Sequence, residues 1–144
     1  MTYWNSNWYI PPSTNSLIYW SGNVPITQTN YDPNTRSSVA NSDRIICGKG
    51  FFEILLNVNG YSYTSPLSVR IDLMKNNATL SATYSNYIIK YNVASFTLKD
   101  NLICNWLYDN SAGTSTDYFQ INIVNNGLQS IFIQEAFINT NRLS

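Results

Sequence analysis

From residue 44 to the end of the chain, apolar and polar residues alternate in short segments that turn residues separate. In Val69-Arg70-Ile71-Asp72-Leu73, the three apolar side chains share one side of a strand, and Arg70 and Asp72 share the side expected to face water. No window of helical length carries an apolar stripe at a spacing of three to four residues, so we expect little helix. The pattern predicts strands at 44–47, 51–57, 61–63, 68–74, 79–84, 87–98, 102–108, 117–124 and 129–138.

Three short polar segments between these strands predict hairpin turns. They are Asn59-Gly60, Asn126-Gly127 and Lys75-Asn76-Asn77-Ala78. Asn and Gly accept the positive φ that tight hairpin turns require, so all three are expected to reverse the chain.

The first 43 residues differ from the rest, since they hold three of the four tryptophans and four of the five prolines. Two brief aromatic strands are predicted before Pro11-Pro12 and before Ser21-Gly22, and 27–42 is predicted as a long polar loop. We therefore expect a single domain, 1–144, with an N-terminal arm and loop at 1–43 and a β core at 44–144.

Nine or more short strands in one chain of 144 residues must each bury one face. A two-sheet sandwich or a closed barrel does this for a chain of this size. The predicted fold class is therefore all-β, an antiparallel two-sheet sandwich, and a single jelly roll with an aromatic N-terminal arm fits the strand count.

The composition of the chain favours some classes of function and disfavours others. Only 11% of residues are charged and the formal net charge is zero, whereas Asn, Ser and Thr together supply 50 of the 144 residues. Proteins with so little repulsion between copies tend to associate, and a chain with no basic cluster is poorly suited to nucleic acid. No apolar stretch approaches the ~20 residues of a membrane helix, and the start resembles no signal peptide, so neither membrane insertion nor classical secretion is expected.

The chain contains no histidine, which removes the commonest general base and the imidazole metal ligand. Six carboxylates are candidates for glycosidase-like pairs: Glu53, Asp72, Asp100, Asp109, Asp117 and Glu135. Asp100, Asp109 and Asp117 fall in predicted turns, where they would cap backbone N–H groups, and Asp72 takes a water-facing strand position. We expect no enzyme activity, metal or cofactor. A small hydrolase is kept as a third hypothesis, which would require two carboxylates within reach in one pocket.

Two cysteines, Cys47 and Cys104, lack the spacing of a zinc site or a redox dithiol. We expect buried thiols, with a Cys47–Cys104 disulfide as the alternative if the chain is exported.

Aromatic residues and two carboxylates in strands are the candidates for an interface between copies. An arm rich in aromatic residues exceeds what one small core absorbs, and a Glu inside an apolar strand suggests an ion pair or an edge, with Lys49, Arg70 or Arg142 as partner. The candidate interface residues are Trp4, Trp8, Tyr9, Tyr19, Trp20, Glu53 and Glu135.

Five segments resemble the single jelly roll shared by tumour-necrosis-factor-like cytokines, complement-type globular heads, viral fibre heads and capsid subunits. In 69–77, an apolar strand ends in Leu-Met-Lys-Asn-Asn, where the complement heads have glycine as the last residue, here Asn77. The closing strand carries Glu135-Ala136 where those heads have Phe-x-Gly. The matching segments, which span about two-thirds of the chain, are 48–54, 59–63, 69–77, 94–104 and 131–138.

Together, these observations favour a non-enzymatic viral structural protein, a capsid, penton, decoration or fibre-head subunit located in the virion. It would form a homo-oligomer, a trimer or pentamer, and contact other virion proteins, with loops 27–42 and 109–117 facing a partner. The alternative is a trimeric head on an extracellular surface that binds a host receptor or a carbohydrate.

Overall fold

Two antiparallel β-sheets pack face to face in a computed structural model of the chain. The structure describes residues 2–18, 20, 43–62, 67–90 and 100–144, with the backbone alone for 2–8, 61, 62, 90, 100 and 101. The strands are β1 Thr2–Ile10, β2 Asn15–Leu17, β3 Ile45–Ile46, β4 Phe51–Ser62, β5 Leu67–Lys75, β6 Ala78–Thr79, β7 Ser85–Lys90, β8 Asp100–Asp109, β9 Tyr118–Asn125 and β10 Ile131–Arg142.

The four-stranded sheet has the order β1-β10-β4-β8. In the six-stranded sheet β9 and β5 lie side by side at the centre; β2 and β3 pair with the far side of β9, and β6 and β7 pair with the far side of β5. The predicted all-β sandwich is confirmed. The finer jelly-roll topology stays a prediction, and the repeated crossing of the chain between the two sheets supports it.

The core lies between the sheets and is built by alternation along each long strand. In β4 the residues from Phe52 to Val58 alternate between buried and half-buried, and β5 follows the same rule from Leu67 to Ile71. The Phe52 and Phe119 rings, one from each sheet, meet edge to face with centroids 5.6 Å apart. A single apolar core thus joins both sheets.

The turn predicted at Lys75-Asn76-Asn77-Ala78 is confirmed. Asn76 and Asn77 have φ of 52° and 63°, the left-handed pair of a two-residue hairpin between β5 and β6. The turn at Asn126-Gly127 is also found between β9 and β10, but the connection spans 126–130 and is not a tight two-residue turn.

The turn predicted at Asn59-Gly60 is wrong, because both residues lie inside β4, which unites the strands expected at 51–57 and 61–63. A Cβ on Gly60 would lie 2.9 Å from the Phe132 carbonyl oxygen and 3.1 Å from Ile133 Cδ1. This glycine therefore does not form a turn. It permits the close approach of β10 to β4, as glycine can within a strand.

One predicted strand ends early. The strand expected at 79–84 is reduced to β6 and followed by a 3-10 turn at Ala82–Tyr84, in which Tyr84 N–H donates to the Ser81 carbonyl at 2.9 Å. The turn lets Tyr84 pack against the core. The strand expected at 87–98 is β7, and 91–99 lies outside the described residues.

The expected N-terminal arm contributes strands to the same sandwich. β1 pairs with β10 over its full length and β2 pairs with β9. Ile10, Ile18 and Trp20 are fully buried in the core. The predicted loop 27–42 falls outside the described residues.

Candidate functional site

The outer face of the four-stranded sheet carries four apolar side chains that together form what we call the outer-face patch: Leu55, Ile103, Leu107 and Phe137. Ile103 is 66% exposed, Leu107 55% and Phe137 37%, while Leu55 is half-buried. Contiguous apolar surface of this kind marks interaction sites on soluble proteins, whereas single exposed apolar residues do not.

Strand register makes these four side chains neighbours. Leu55 lies opposite Asn105 of β8 and opposite Asn139 of β10. Ile103 and Leu107 are therefore its diagonal neighbours on one side and Phe137 on the other, at the ~7–8 Å that long side chains bridge. The patch is continuous across three strands.

The patch exists because β8 is apolar on both faces. Leu102, Cys104 and Trp106 point into the core, and Ile103 and Leu107 between them point outward. A strand was predicted at 102–108, but its outward residues Ile103 and Leu107 were not among the predicted interface residues. Apolar residues at consecutive positions of a strand, here 102–104 and 106–108 on either side of Asn105, indicate that both faces are covered.

Three of the predicted interface residues share this outer face. Tyr9 is 60% exposed, and its ring contacts that of Phe132 with centroids 4.8 Å apart. Glu53 lies opposite Leu107 on β8, and Glu135 is exposed beside the bulge in β10, opposite Asn59. Neither glutamate forms a salt bridge with the part of the chain that is described.

Two of the three ion-pair partners proposed for these glutamates, Arg70 and Arg142, are engaged elsewhere. Arg70 pairs with Asp72 on the other sheet, and Arg142 Nη2 donates to the Cys47 carbonyl oxygen at 3.2 Å. The expectation of an Arg70 partner is therefore wrong, because Arg70 lies in the six-stranded sheet.

The remaining predicted interface residues differ in position, and the register places Trp4 beside a member of the outer-face patch. Trp4 takes the register position opposite Phe137 and Trp8 that opposite Ile133. Tyr19 lies outside the described residues. Trp20 is fully buried, so its expected contact with a second copy is corrected to a place in the core of its own chain.

A polar groove on the outer face of the six-stranded sheet forms a second candidate site. Its volume is about 440 Å³, and its lining comprises Asn15, Leu17, Arg70, Asp72, Met74, Thr79 and Asn122. Asp72 was expected to face water, but it is only 2% exposed. The Arg70 guanidinium covers it, with Nε donating to Oδ1 at 2.9 Å and Nη2 to Oδ2 at 3.0 Å.

An aromatic ring flanks this groove. Tyr87 is 70% exposed and lies opposite Arg70 in the β5–β7 register, with the guanidinium carbon 5.9 Å from its ring centre. Hydrogen bonds to Asp72 and then to Tyr87 raise the pKa of Arg70. The guanidinium is thus held in one orientation beside an exposed ring.

A third polar cluster holds the loop between β8 and β9. Asp117 Oδ1 accepts from Asn76 Nδ2 and from Thr114 Oγ1, each at 2.9 Å, and Oδ2 accepts from the Thr114 N–H at 2.9 Å. Lys75 Nζ lies 3.5 Å from Oδ2. The Asn76 bond, followed by the Thr114 N–H, lowers the pKa of Asp117 well below its usual range.

Turn capping by carboxylates, expected from the sequence, is confirmed at two positions. Besides Asp117, Asp109 Oδ1 accepts from the Ser111 N–H at 2.9 Å. These bonds give both carboxylates a structural role within the loop 109–117.

Cys47 and Cys104 are present as two separate buried thiols rather than as a disulfide. Burial, and next the charge of Asp117, raises the pKa of Cys47 to about 12, and burial raises the pKa of Cys104 to about 11. Both thiols are therefore protonated and poorly nucleophilic at neutral pH.

The described ranges lack both a metal-binding group and a membrane-spanning helix. They contain no group of three or more acidic, cysteine or histidine side chains that could hold a metal ion. They also contain no helix that is long and apolar enough to cross a membrane.

Comparison with solved structures shows a shared fold. The chain is similar to PRD1 vertex protein P5, with a TM-score of 0.53 and 11% identity over 95% of this chain and 92% of that chain. It also resembles an arabinose-bound α-L-arabinofuranosidase, with a TM-score of 0.46 and 12% identity over 92% of this chain and 23% of that chain. A third similar structure is the insecticidal delta-endotoxin Cry8Ea1 from Bacillus thuringiensis, with a TM-score of 0.38 and 10% identity over 74% of this chain and 21% of that chain. No protein-family model and no curated protein matches the sequence.

The likeness to the vertex protein spans nearly the whole of both chains, which identifies an all-β sandwich of the same size. The predicted resemblance to a viral β-sandwich is supported at the level of fold. The resemblance to tumour-necrosis-factor-like cytokines and complement heads stays a prediction that these structures do not test.

Proposed function

We propose that this chain is a non-enzymatic structural subunit of a virus particle, which assembles with further copies through the outer-face patch. The observation that carries the proposal is the exposure of Ile103, Leu107 and Phe137 on one sheet face that is continuous across three strands.

Apolar surface exposed to water is energetically unfavourable, so covering it favours association. The chain also carries little charge that would oppose association. Covering one fully exposed large apolar side chain contributes roughly 1.5–3 kcal/mol. Because Phe137 and Leu55 are already partly buried, the apolar surface of the partner must add to this driving force to offset the entropic cost of association. With a net charge of zero, no long-range repulsion keeps copies apart.

The polar residues between the apolar ones suit an interface as well. Asn57, Asn105 and Asn139 alternate with the patch residues in the same strands, and they would provide hydrogen bonds at a contact. Glu53 and Glu135 at its borders would select a partner surface that presents cations.

The fold shared with a viral vertex protein supports the proposal that the chain is located in a virus particle. A vertex is a place where a small number of subunits meet around an axis, so we propose a trimer or pentamer in contact with other virion proteins. A capsid, penton, decoration or fibre-head position is consistent with this proposal.

Introducing charge into the patch tests the proposal. The double variant Ile103→Lys, Leu107→Lys should weaken self-association at least tenfold, because two lysines must be desolvated where apolar side chains were covered. Leu128→Lys is the matched control, since Leu128 is 89% exposed but lies in the β9–β10 connection, away from the patch. Light scattering over a range of concentrations measures the effect.

Both variants change only exposed side chains, so far-ultraviolet circular dichroism should show the same β-sheet spectrum for each. If the double variant assembles as well as the Leu128→Lys control, the outer-face patch is not the interface and the proposal fails.

A carbohydrate- or receptor-binding head is the second candidate function, and the polar groove favours it. Asp72, Asn122 and Thr79 line the groove, and the oriented guanidinium of Arg70 lies beside the exposed ring of Tyr87. Planar polar side chains next to an exposed aromatic ring suit a sugar, whose hydroxyls take hydrogen bonds while its apolar face lies on the ring.

A glycan array with the wild-type protein tests this candidate. A glycan that binds in the groove should bind at least tenfold more weakly to Tyr87→Ala and Asn122→Ala, but equally well to the control Ile89→Ala, which removes an exposed side chain two residues from Tyr87. No bound glycan, or equal losses in all three variants, would count against the groove.

A further inference from the structure

Strand β8 forms one border of the four-stranded sheet. It pairs with β4 in an unbroken register from Phe51 opposite Asp109 to Gly60 opposite Asp100. Among the strands that the structure describes, none pairs with its other side. The outward N–H and C=O groups of a ten-residue strand therefore form a template for one more strand.

Proteins often protect such an edge through the sequence of the edge strand itself, and β8 lacks the usual devices of this kind. The strand contains no proline, no lysine and no bulge, and its two charged residues, Asp100 and Asp109, are its first and last. The opposite border of the same sheet differs: β1 ends at Pro11-Pro12, and β10 beside it is bulged between Ile133 and Glu135. Strand β1 likewise contains no proline or lysine, so what distinguishes the β8 border is its unbroken pairing register, beside the bulge at the other side of the sheet.

The sequence of β8 is nearly symmetric about Asn105. Ile103 and Leu107 lie two residues to either side and both point outward, 66% and 55% exposed. Leu102 and Tyr108 lie three residues to either side. When such a strand pairs antiparallel with a copy of itself, Asn105 meets Asn105, and Ile103 meets Leu107 twice.

No like charges meet in this arrangement, because Asp109 of one copy would lie opposite Asn101 of the other. Apolar pairs and an amide pair directly across from each other stabilise antiparallel strands. These features identify the occupant of the edge as a second copy of the chain, since a copy supplies the complementary sequence.

We propose that β8 pairs antiparallel with β8 of a second copy around a two-fold axis at Asn105. The two four-stranded sheets then form one continuous sheet, and the two outer-face patches join across the axis into a single apolar surface. This pairing rests on the proposed function and specifies its first assembly step, a symmetric dimer from which a larger particle is built.

Cross-linking at Asn105 tests the pairing. In the proposed register the two Asn105 Cα atoms lie ~4.5–5.5 Å apart, while two Ile103 Cα atoms lie roughly 14 Å apart because the strands run in opposite directions. The native thiols are buried and have a raised pKa, so they react slowly with maleimides and leave a clear background.

Asn105→Cys should therefore give mostly covalent dimer with a short bismaleimide, and Asn126→Cys, an exposed asparagine in the β9–β10 connection, should give little. A mixture of Ile103→Cys with Leu107→Cys should cross-link more than either variant alone, since only the mixture pairs the two positions. Asn105→Lys, which places two cations on the axis, should reduce dimer formation at least tenfold.

The outcomes separate this inference from the proposed function. An assembling wild type with no cross-link at Asn105 and no effect of Asn105→Lys overturns the β8 pairing, while the assembly role stands. A wild type that remains monomeric at all concentrations overturns both. Cross-linking through Asn105 but not through Asn126 supports the pairing, and cross-linking of Ile103→Cys to itself would show a different register.

Discussion

Among individual residues, Asp117 has the densest set of polar contacts described in the chain. Its two carboxylate oxygens accept from the side chains of Asn76, Thr114 and Asn110, and its backbone carbonyl accepts from the Cys47 N–H. These bonds connect the β8–β9 loop to the β5–β6 turn and to the chain entering β4. The carboxylate and the backbone carbonyl of this one residue therefore connect three segments that are distant in sequence.

Replacing Asp117 with Asn should destabilise the protein by about 2 kcal/mol at neutral pH, because the buried Asn110 amide and the part-buried donors of Asn76 and Thr114 lose a charged acceptor. Asp109→Asn is the matched control: Asp109 also caps a turn, but it is exposed to solvent. Urea unfolding curves for both variants measure the difference. A loss no larger than that of the control would show that Asp117 does not anchor the loop.

The contribution of Asp117 also depends on pH. The pKa of Asp117 is lowered in the folded chain, whereas in the unfolded chain it is about 3.9. Its stabilisation is therefore fully present above about pH 4 and is lost as the pH falls toward the folded value. The gap in stability between wild type and Asp117→Asn should narrow from pH 7 to pH 3, and a constant gap would contradict this account.

The roles of some acidic residues could be predicted from the sequence, and the role of Asp72 could not. Asp109 and Asp117 cap turns as their local sequence indicates, because a capping bond joins residues close in the chain. Asp72 was expected in water, but it is buried beneath Arg70 in a groove formed by four strands. Alternation shows on which face of a strand a residue lies, but neighbouring strands decide whether that face is covered.

At the level of elements, Gly60 shows how closely β4 and β10 approach. A Cβ at this position would lie 2.9 Å from a backbone oxygen of β10, and backbone moves less readily than a side chain. Gly60→Ala should therefore destabilise the protein by about 1–3 kcal/mol through strain. Asn59→Ala, its neighbour in the same strand, should change stability by about 0.5 kcal/mol or less.

Chemical denaturation of the two variants measures this difference. Equal stability for Gly60→Ala and Asn59→Ala would show that the sheet can widen at Gly60 and that the close approach is not required.

The outcome at Asn59-Gly60 also shows why some turns are found from sequence and others are not. The same residue types adopt left-handed backbone at Asn76 and Asn77 but extended backbone within β4. The turn at 76–77 joins two strands that pair locally, so its sequence suffices. The conformation at Gly60 is determined by β10, which is more than 70 residues away in the sequence.

For the whole molecule, alternation and turn spacing predicted the all-β sandwich because each long strand must bury one face in the single core. The outer-face patch was not predicted, because it requires the register of β4, β8 and β10. Leu55, Ile103 and Phe137 become neighbours only when these strands lie side by side. The predicted interface residues Tyr9, Glu53 and Glu135 nevertheless lie on this same face.

The arrangement of surfaces gives each sheet a different character. The four-stranded sheet presents apolar residues and, among the described strands, an edge at β8 with no pairing partner. The six-stranded sheet presents a polar groove in which the part-exposed Arg70 covers the buried Asp72. We interpret the first as the side for assembly and the second as the side left open to other molecules.

The mass of the native protein in solution, determined by light scattering over a wide range of concentrations, tests the central claim most directly. The account predicts a multiple of the 16.4 kDa chain mass, which persists in about 1 M salt because apolar contacts are not screened as charges are. A species of 16.4 kDa at every concentration would contradict it.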